Sequence, residues 1–224
     1  MAWLQDRDYR EKLEKIKINM KEYLQASEAI DWQDNAILDL ARQIRAEVPR
    51  ENKTELAIAK ATFEWVRDRI YHSSDYQMNP ITWRASDVLQ YQTGFCYAKS
   101  HLLAALLRAN GIPTGFCYQR LSVDDKGAPY CLHGFNAAYL SEIGWYRFDA
   151  RGNRPDVNAQ FVPPKEQLAY QPKLPEEADF ENILPEPLPI VLQALQTHRT
   201  LEELYPQLPD VSLDRLEKYG LILK

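Results

Sequence analysis

The chain has 224 residues and a mass of 26.1 kDa, which is ample for one globular domain or for a domain with appendages. With 45% hydrophobic and 26% charged side chains, the composition excludes a disordered or collagen-like chain. The formal net charge is -5, opposite to the basic surface that nucleic acid or an anionic membrane attracts, so we expect neither of these partners.

The cellular compartment is predicted from the amino terminus and the cysteines. Charged residues begin at Asp6, before the apolar core of a signal peptide can form, and the longest apolar run, Leu102–Leu107, is far below the roughly 20 residues of a membrane span. Three cysteines, an odd number, suit a reducing compartment and leave at least one free thiol. We therefore expect a cytoplasmic protein. The sequence carries no indication of its oligomeric state.

Apolar residues recur at helical spacing along the first part of the chain. One stripe runs over 9–24, a second over 37–48 and a third over 56–70. Asn52, with Glu55 three residues later, is typical of the start of the third helix. We expect each helix to pack an apolar face on a common core.

A fourth helix is predicted over Cys96–Asn110. Gly111 and Pro113 follow it directly, and this order is a typical helix stop. The apolar run inside this helix leaves little polar surface, which indicates a central, buried helix.

The periodicity changes to that of strands after this helix. Three strands are predicted over 115–123, 130–140 and 145–149, and two short turns join them into an antiparallel meander. Helices followed by such a sheet are typical of an α+β fold. The segment 155–189 holds eight of the chain's 14 prolines, which predicts an extended strap or a linker. Helical character returns over 190–224.

Three residues of this framework suggest nucleophilic chemistry. Cys96 begins the buried helix, where unpaired backbone N–H groups and the positive end of the helix dipole stabilise a thiolate. His133 lies on the second strand and Asp149 ends the third, so pairing of these strands about the turn near Glu142 brings the two side chains close together. His133 can then exchange a proton with Cys96, while Asp149 fixes the imidazole tautomer and stabilises its cation.

The sequence around these residues resembles a known family. The motifs are Gly94-Phe95-Cys96-Tyr97, Leu106-Leu107-Arg108-Ala109-Asn110-Gly111-Ile112-Pro113, His133 on a strand, and Trp145-Tyr146-Arg147-Phe148-Asp149. In this order they resemble the transglutaminase-like superfamily over roughly 56–152. The resemblance implies a papain-like α+β core, in which Cys96 is the nucleophile, His133 the general base and acid, and Asp149 the orienting carboxylate. Members include crosslinking transglutaminases, peptide:N-glycanases and bacterial cysteine peptidases.

The side chains near the triad depart from the common pattern of that family. Phe135 stands at the aromatic position after the histidine that is often Trp, and the segment 150–152 replaces a Pro-Thr-like continuation after the aspartate. These departures affect the shape of the pocket more than the chemistry of the triad. Tyr97 and Trp145 are expected in the core or in the pocket wall.

An oxyanion hole needs two hydrogen-bond donors aimed at the developing negative charge. The backbone N–H of Cys96 is the natural first donor. Family members take the second from an aromatic or amide side chain upstream, for which Trp83, Tyr76 and Gln92 are available. We favour the indole N–H of Trp83, because it can only donate, although a packing role for this residue is equally compatible with the sequence.

Disulfide and metal sites are the competing interpretations of the cysteines and acidic residues. Cys117 and Cys131 lie about three places out of register on their strands, which favours two reduced thiols over a disulfide. A zinc site that combines them with His133 lacks a paired Cys-x-x-Cys knuckle. The acidic cluster over 176–181 lacks the spacing of an EF-hand and is interpreted as a solvated surface. We therefore expect no cofactor and no metal.

We divide the chain into N-terminal helices (1–50), a transglutaminase-like catalytic core (51–154), a Pro-rich extended strap (155–189) and a helical C-terminal tail (190–224); the resemblance supports only the core. We expect the strap to lie over the cleft and to limit access to it, so that removal of residues 155–224 raises activity. The substrate is expected to be a peptide or protein with an amide group.

The expected reaction passes through a thioester on Cys96, which water or an amine then resolves. Hydrolysis gives a peptidase or amidase, whereas transfer to an amine gives transglutaminase activity. We favour hydrolysis, because crosslinking requires walls that exclude water and the sequence does not identify them. The alternative is a non-catalytic interaction domain that keeps the fold and binds an extended peptide in the groove.

Overall fold

Helices and an antiparallel sheet pack together in the protein, as described by a computed structural model for residues 20–224. The predicted α+β class is confirmed. The helix predicted over 9–24 lies, up to residue 19, outside the described residues.

The first two helices are α1 (Asn35–Glu47) and α2 (Glu55–Arg69). They follow the two predicted stripes to within a few residues. The predicted cap at Asn52 is wrong, because Asn52 ends a separate turn of 3-10 helix. Thr54 caps α2 instead, since its hydroxyl oxygen accepts the N–H of Ala57 at 3.2 Å.

Four short elements that the sequence patterns did not predict lead into the buried helix. They are β1 (Tyr71–His72), α3 (Ser73–Tyr76), α4 (Ala85–Tyr91) and β2 (Thr93–Gly94). The two strands are parallel, and His72 is the ladder partner of Gly94. This pairing places His72 beside the start of the next helix.

The buried helix α5 (Cys96–Ala109) is confirmed in position and burial. Every residue from Cys96 to Arg108 is buried. The helix ends at Asn110, and Gly111 follows with φ +77°, a left-handed conformation that glycine adopts without the steric cost of a Cβ atom.

The main sheet has four strands in the order β5-β4-β3-β8. In chain order the strands after α5 are β3 (Thr114–Ser122), β4 (Tyr130–Leu140), β5 (Gly144–Phe148), β6 (Gln160–Val162), β7 (Lys165–Gln167) and β8 (Ala178–Asp179). The predicted three-stranded meander is β3, β4 and β5, with antiparallel pairing throughout. Strands β6 and β7 form a separate antiparallel pair.

The two faces of the sheet are covered by different parts of the chain. On one face α5 packs against β4, where Asn136 donates a hydrogen bond to the Ser100 carbonyl at 3.1 Å. On the other face lies a small apolar cluster, formed by Cys117, Phe135 and Ala137 and packed against Trp145, Leu168 and Ile183. The Pro-rich segment supplies the last two of these side chains, so it covers the second face of the sheet.

The C-terminal part is helical in short pieces. These are α6 (Pro189–Thr197), α7 (Leu201–Leu204) and two 3-10 segments, Tyr205–Gln207 and Leu213–Tyr219. Their buried residues belong to the same core as those of α1 and α5. The chain divisions at residues 50, 154 and 189 stay predictions. None of the described helices combines the length and the apolar character that a membrane crossing requires.

Candidate active site

Cys96 is the first residue of α5 and is 7% exposed. Backbone N–H groups in the first turn of a helix have no partner within the helix, so the positive end of the helix dipole lies at this thiol. The Ser100 hydroxyl donates to the Cys96 carbonyl at 2.8 Å and ties the first turn together. The start of α5 therefore places the thiol where a negative charge is stabilised.

His133 and Asp149 meet just beyond the end of the β4–β5 ladder. The last ladder pair is Asn136 with Phe148, so the two side chains approach each other past the ladder and not across it. The His133 Nε2 atom lies 2.7 Å from Asp149 Oδ2, and both side chains are buried. The Cys96 thiol lines the same cavity and is close enough to His133 to help raise the pKa of the imidazole. Because Nε2 faces the carboxylate, Nδ1 is the nitrogen left for the thiol.

The charges of the site determine the protonation of the imidazole. Burial disfavours the cationic ring, but the negative charges of Asp149 and Cys96 and their hydrogen bonds outweigh it and raise the pKa of His133 to about 10. Burial likewise acts to raise the pKa of Asp149, yet the His133 charge and its hydrogen bond hold that pKa below its ordinary value. Both shifts favour an imidazolium beside a carboxylate at neutral pH.

The Asp149 carboxylate is fixed by backbone donors as well as by the imidazole. The Arg151 N–H donates to Oδ1 at 2.9 Å, and the Ala169 N–H donates to Oδ2 at 3.1 Å. Asp149 is 1% exposed, so each of these bonds replaces one that water would otherwise make. A buried carboxylate with this set of donors is held in one orientation.

Aromatic rings surround the His133 imidazole. Phe135 stacks on it with ring centroids 6.0 Å apart, and Tyr170 meets it edge to face at 5.0 Å. The neighbouring Gly134 permits a close approach of Tyr97, because a Cβ atom at Gly134 would lie 3.0 Å from Tyr97 Cδ1. The imidazole therefore has little room to rotate.

The thiol and the imidazole open into a cavity of about 520 Å³. Three apolar side chains line one part of it: Leu121, Val123 and Leu208. Charged side chains line another part, where Arg151 and Arg154 both bind Asp75. A cavity of this volume is in the range that holds a small ligand or a short peptide segment.

Comparison with known protein families agrees with the resemblance noted in the sequence. Residues 42–150 match the model of the transglutaminase-like superfamily. This match confirms the predicted resemblance to the transglutaminase-like superfamily. The matched segment contains Cys96, His133 and Asp149. No curated protein sequence matches the chain.

Several solved structures are similar to part of the chain. A candidate cysteine protease from Cytophaga hutchinsonii has 21% identity and a TM-score of 0.48, with coverage of 59% of this chain and 42% of that one. The periplasmic domain of TgpA from Pseudomonas aeruginosa has 20% identity and a TM-score of 0.38, with coverage of 52% and 42%. Red sea bream transglutaminase has 13% identity and a TM-score of 0.40, with coverage of 50% and 26%. The chain thus spans less than half the length of each.

The remaining predicted site residues differ in where they lie relative to Cys96, His133 and Asp149. Tyr97 lines the cavity, and its hydroxyl donates to the Leu132 carbonyl. Phe135 lies against the imidazole, as described above. Trp83 is outside the cavity lining and half-buried; its ring packs under the Arg84 guanidinium at 4.6 Å, and its carbonyl bonds to the His101 ring at 2.6 Å. The predicted oxyanion role of Trp83 therefore has no support in its position.

The other two upstream candidates are also outside this lining. Tyr76 is 58% exposed and lines a separate, smaller pocket. Gln92 follows α4 in a left-handed conformation, with φ 53°, and its carbonyl accepts the Tyr71 N–H at 3.0 Å. Neither side chain takes the predicted place beside the thiol.

His72, which was not among the site residues predicted from the sequence, lines the cavity. It is 7% exposed, and its ring centroid lies 5.6 Å from that of Phe95. Burial and the nearby positive charges of Arg151 and Lys99 hold the pKa of His72 well below its ordinary value, so its imidazole is neutral. No sequence signal identified His72, because the two-residue strand that places it beside Gly94 is too short to give a pattern.

The Pro-rich segment also contributes residues that the sequence did not indicate. Leu168, Ala169 and Tyr170 line the cavity on the side of His133. Ala169 binds Asp149 through its backbone N–H. The identity of the residue at this position therefore could not indicate the contact.

The two other cysteines are free thiols. Cys117 pairs with Phe135 on the ladder, whereas Cys131 pairs with Leu121 and lines the cavity. Burial raises the pKa of each thiol to about 12, so both stay protonated at neutral pH. Within residues 20–224, no three His, Cys, Asp or Glu side chains are grouped as a metal site.

Proposed function

We propose that the protein is a cysteine-dependent amide-bond hydrolase or acyl transferase that works through a thioester on Cys96. The observation that carries the proposal is the buried His133 imidazole, which binds the Asp149 carboxylate and lies within reach of the Cys96 thiol at the cavity. A thiol beside a basic imidazole can pass its proton to the ring and become a nucleophile at neutral pH.

The first step transfers the acyl group of the substrate to the enzyme. The Cys96 thiolate attacks the amide carbonyl carbon, a C–S bond forms, and an electron pair moves onto the carbonyl oxygen. When that pair returns, the C–N bond breaks and the departing nitrogen takes the proton held by His133. The products are a thioester on Cys96, a free amine and a neutral imidazole.

The second step regenerates the thiolate. Neutral His133 removes a proton from water, the oxygen attacks the thioester, and the C–S bond breaks to release a carboxylic acid. An amine in place of water gives a new amide. We favour water, because Asp75, Arg151 and Arg154 line the cavity and charged side chains of this kind favour a hydrated site.

The oxyanion of each tetrahedral intermediate needs two donors. We assign these roles to the backbone N–H of Cys96 and to the neutral imidazole of His72. The assignment rests on the place of His72 in the cavity lining and on its ladder pairing with Gly94, close to the start of α5. A neutral imidazole carries one N–H and can donate it without adding a positive charge.

The activity is tested with a mixture of protein-derived peptides and dansylcadaverine as the added amine, with products read by mass spectrometry. We expect the wild type to yield cleaved, deamidated or dansylated peptides. Cys96→Ala should reduce product formation by about a thousandfold or more, because the nucleophile is lost. Cys117→Ala is the matched control, since that thiol lies in the apolar cluster of the sheet and outside the cavity lining. Equal product from Cys96→Ala and the wild type would refute the proposal.

The alternative is a non-catalytic domain that binds a peptide in the same cavity. It predicts peptide binding without an acyl adduct on Cys96 and without any product from the wild type. Intact-mass measurement of the protein after incubation with the peptide mixture distinguishes the two, because a thioester adds the mass of the acyl group.

A further inference from the structure

The Pro-rich segment touches the catalytic pair directly, although it lies beyond the part of the chain that matches the family. The family match ends at residue 150. Ala169, 19 residues further on (169 − 150), donates its backbone N–H to Asp149 Oδ2 at 3.1 Å. The same oxygen accepts the His133 hydrogen bond at 2.7 Å. One carboxylate oxygen therefore joins the imidazole to the segment.

Tyr170, the next residue, packs against the His133 imidazole. Its ring meets the His133 ring edge to face, with centroids 5.0 Å apart and an interplanar angle of 88°. His133 is only 5% exposed although it lines the cavity, and Asp149, behind it, is 1% exposed. The Tyr170 ring thus occupies space from which water would otherwise reach the hydrogen bond.

The position of Tyr170 is determined by groups around the site. The Gln119 side chain, from the ladder partner of His133, donates to the Tyr170 carbonyl at 3.4 Å. The Arg151 guanidinium lies over the Tyr170 ring at 5.6 Å from its centroid. Burial raises the pKa of Tyr170 to about 12, so the ring stays uncharged beside the imidazole. These contacts hold the segment against the site in one arrangement.

We propose that Tyr170 and the Ala169 N–H are positioning groups of the catalytic site, which shield the His133–Asp149 hydrogen bond from water and fix its direction. This inference rests on the proposed function. The expectation from the sequence is that the Pro-rich segment only restricts access to the cleft. Loss of these contacts should have the opposite effect: activity falls, because the His133–Asp149 hydrogen bond is weakened. A hydrogen bond between charged partners is stronger where water is excluded, since the local dielectric is lower.

The proposal is tested on the full chain by NMR after ¹⁵N-labelling of histidine. The observable is the exchange rate of the His133 Nε2 proton with water at neutral pH, and His133→Gln assigns its resonance. We expect slow exchange in the wild type and exchange at least about tenfold faster in Tyr170→Ala, since the ring no longer covers the proton. Tyr170→Phe keeps the ring and should restore slow exchange.

Two controls separate shielding from general loosening of the fold. Tyr91→Ala removes a ring that is 46% exposed and outside the cavity lining, so its effect on the exchange rate should be absent. Ala169→Pro removes the N–H that binds Asp149, whereas Ala169→Gly keeps it. We expect faster exchange in Ala169→Pro and the wild-type rate in Ala169→Gly. If Tyr170→Ala does not fold, Tyr170→Leu provides a second variant without a ring.

Wild-type exchange rates in both Tyr170→Ala and Ala169→Pro would overturn the proposal. The result does not depend on turnover, so failure of the proposed function is recognised separately by the absence of peptide products from the wild type. Where products form, Tyr170→Ala should lower kcat by about tenfold, because Tyr170 acts through His133. Since its ring also lines the cavity, we expect KM to change as well, but by less than kcat.

Discussion

Opposing electrostatic effects determine whether the buried His133 imidazole, rather than the Cys96 thiol, holds the proton. Desolvation favours the neutral imidazole, and the two negative charges on either side favour the cation. The negative charges outweigh the effect of burial, so the ring keeps its proton at neutral pH, as the proposed acyl transfer requires. The Ala169 and Arg151 N–H groups contribute indirectly, because they keep Asp149 ionised.

The same balance predicts how stability depends on pH. The folded pKa of His133, about 10, lies above the ordinary value of 6.5, so the folded chain binds this proton more tightly than the unfolded chain. The stabilisation is complete below pH 6.5, declines as the pH rises, and is lost above about pH 10. We expect the difference in unfolding free energy between the wild type and His133→Gln to shrink over this range, as measured by urea denaturation.

His101 provides a contrasting control for that series. Burial lowers its pKa to about 4, so its protonation destabilises the fold only as the pH falls below 6.5. The difference between the wild type and His101→Gln should therefore stay constant from pH 6.5 to about 10. A constant difference for His133→Gln as well would contradict the assigned ion pair.

Strands β5, β7 and β8 are joined at one side chain. Arg147, on β5, binds the Glu166 carboxylate of β7 at 2.9 Å and the Asp179 carboxylate of β8 at 2.6 Å. Its side chain is 7% exposed and lies over the Phe135 ring at 5.3 Å. Arg147 thereby holds the Pro-rich segment on the sheet at points before and after Tyr170.

Arg147→Met should be destabilising. The substitution fills the apolar space but removes the main partner of two partly exposed carboxylates, Glu166 and Asp179, which keep Lys224 nearby, so we expect a loss of about 1–2 kcal/mol, between the values for exposed and buried pairs. Urea denaturation measures the loss, and limited proteolysis should locate new cleavage within 155–189. Arg42→Met is the matched control, because its pair with Asp39 is 71% and 75% exposed and contributes about 0.5 kcal/mol or less. Equal stability of the two variants would show that Arg147 does not anchor the segment.

Across the whole molecule, sequence patterns that extend over a few residues predicted the main helices and strands. The buried helix, with its stop at Gly111, and the three strands of the meander follow from periodicity and turn residues, which act over a few positions. The short elements α3 and α4 were missed, because four and seven residues give no complete amphipathic repeat.

In the candidate site, too, the residues related by local patterns were predicted and those that depend on tertiary packing were missed. His133 and Asp149 were expected to approach, because strand register relates their positions, and Cys96 was indicated by its place at a helix start. The Ala169 N–H and the His72 imidazole depend on how distant segments pack. Such contacts are fixed by the tertiary structure and leave no periodic signal in the sequence.

Alkylation of Cys96 by iodoacetamide as a function of pH, assigned by mass spectrometry in the wild type and in His133→Ala, tests the central claim most directly. We predict selective labelling of Cys96 well below the ordinary thiol pKa of about 8.5. That labelling should be lost in the mutant. Cys131 is the internal reference, because it lines the same cavity with a pKa of about 12 and should react only at alkaline pH. An ordinary thiol profile for Cys96, identical in both proteins, would contradict the thiolate–imidazolium pair.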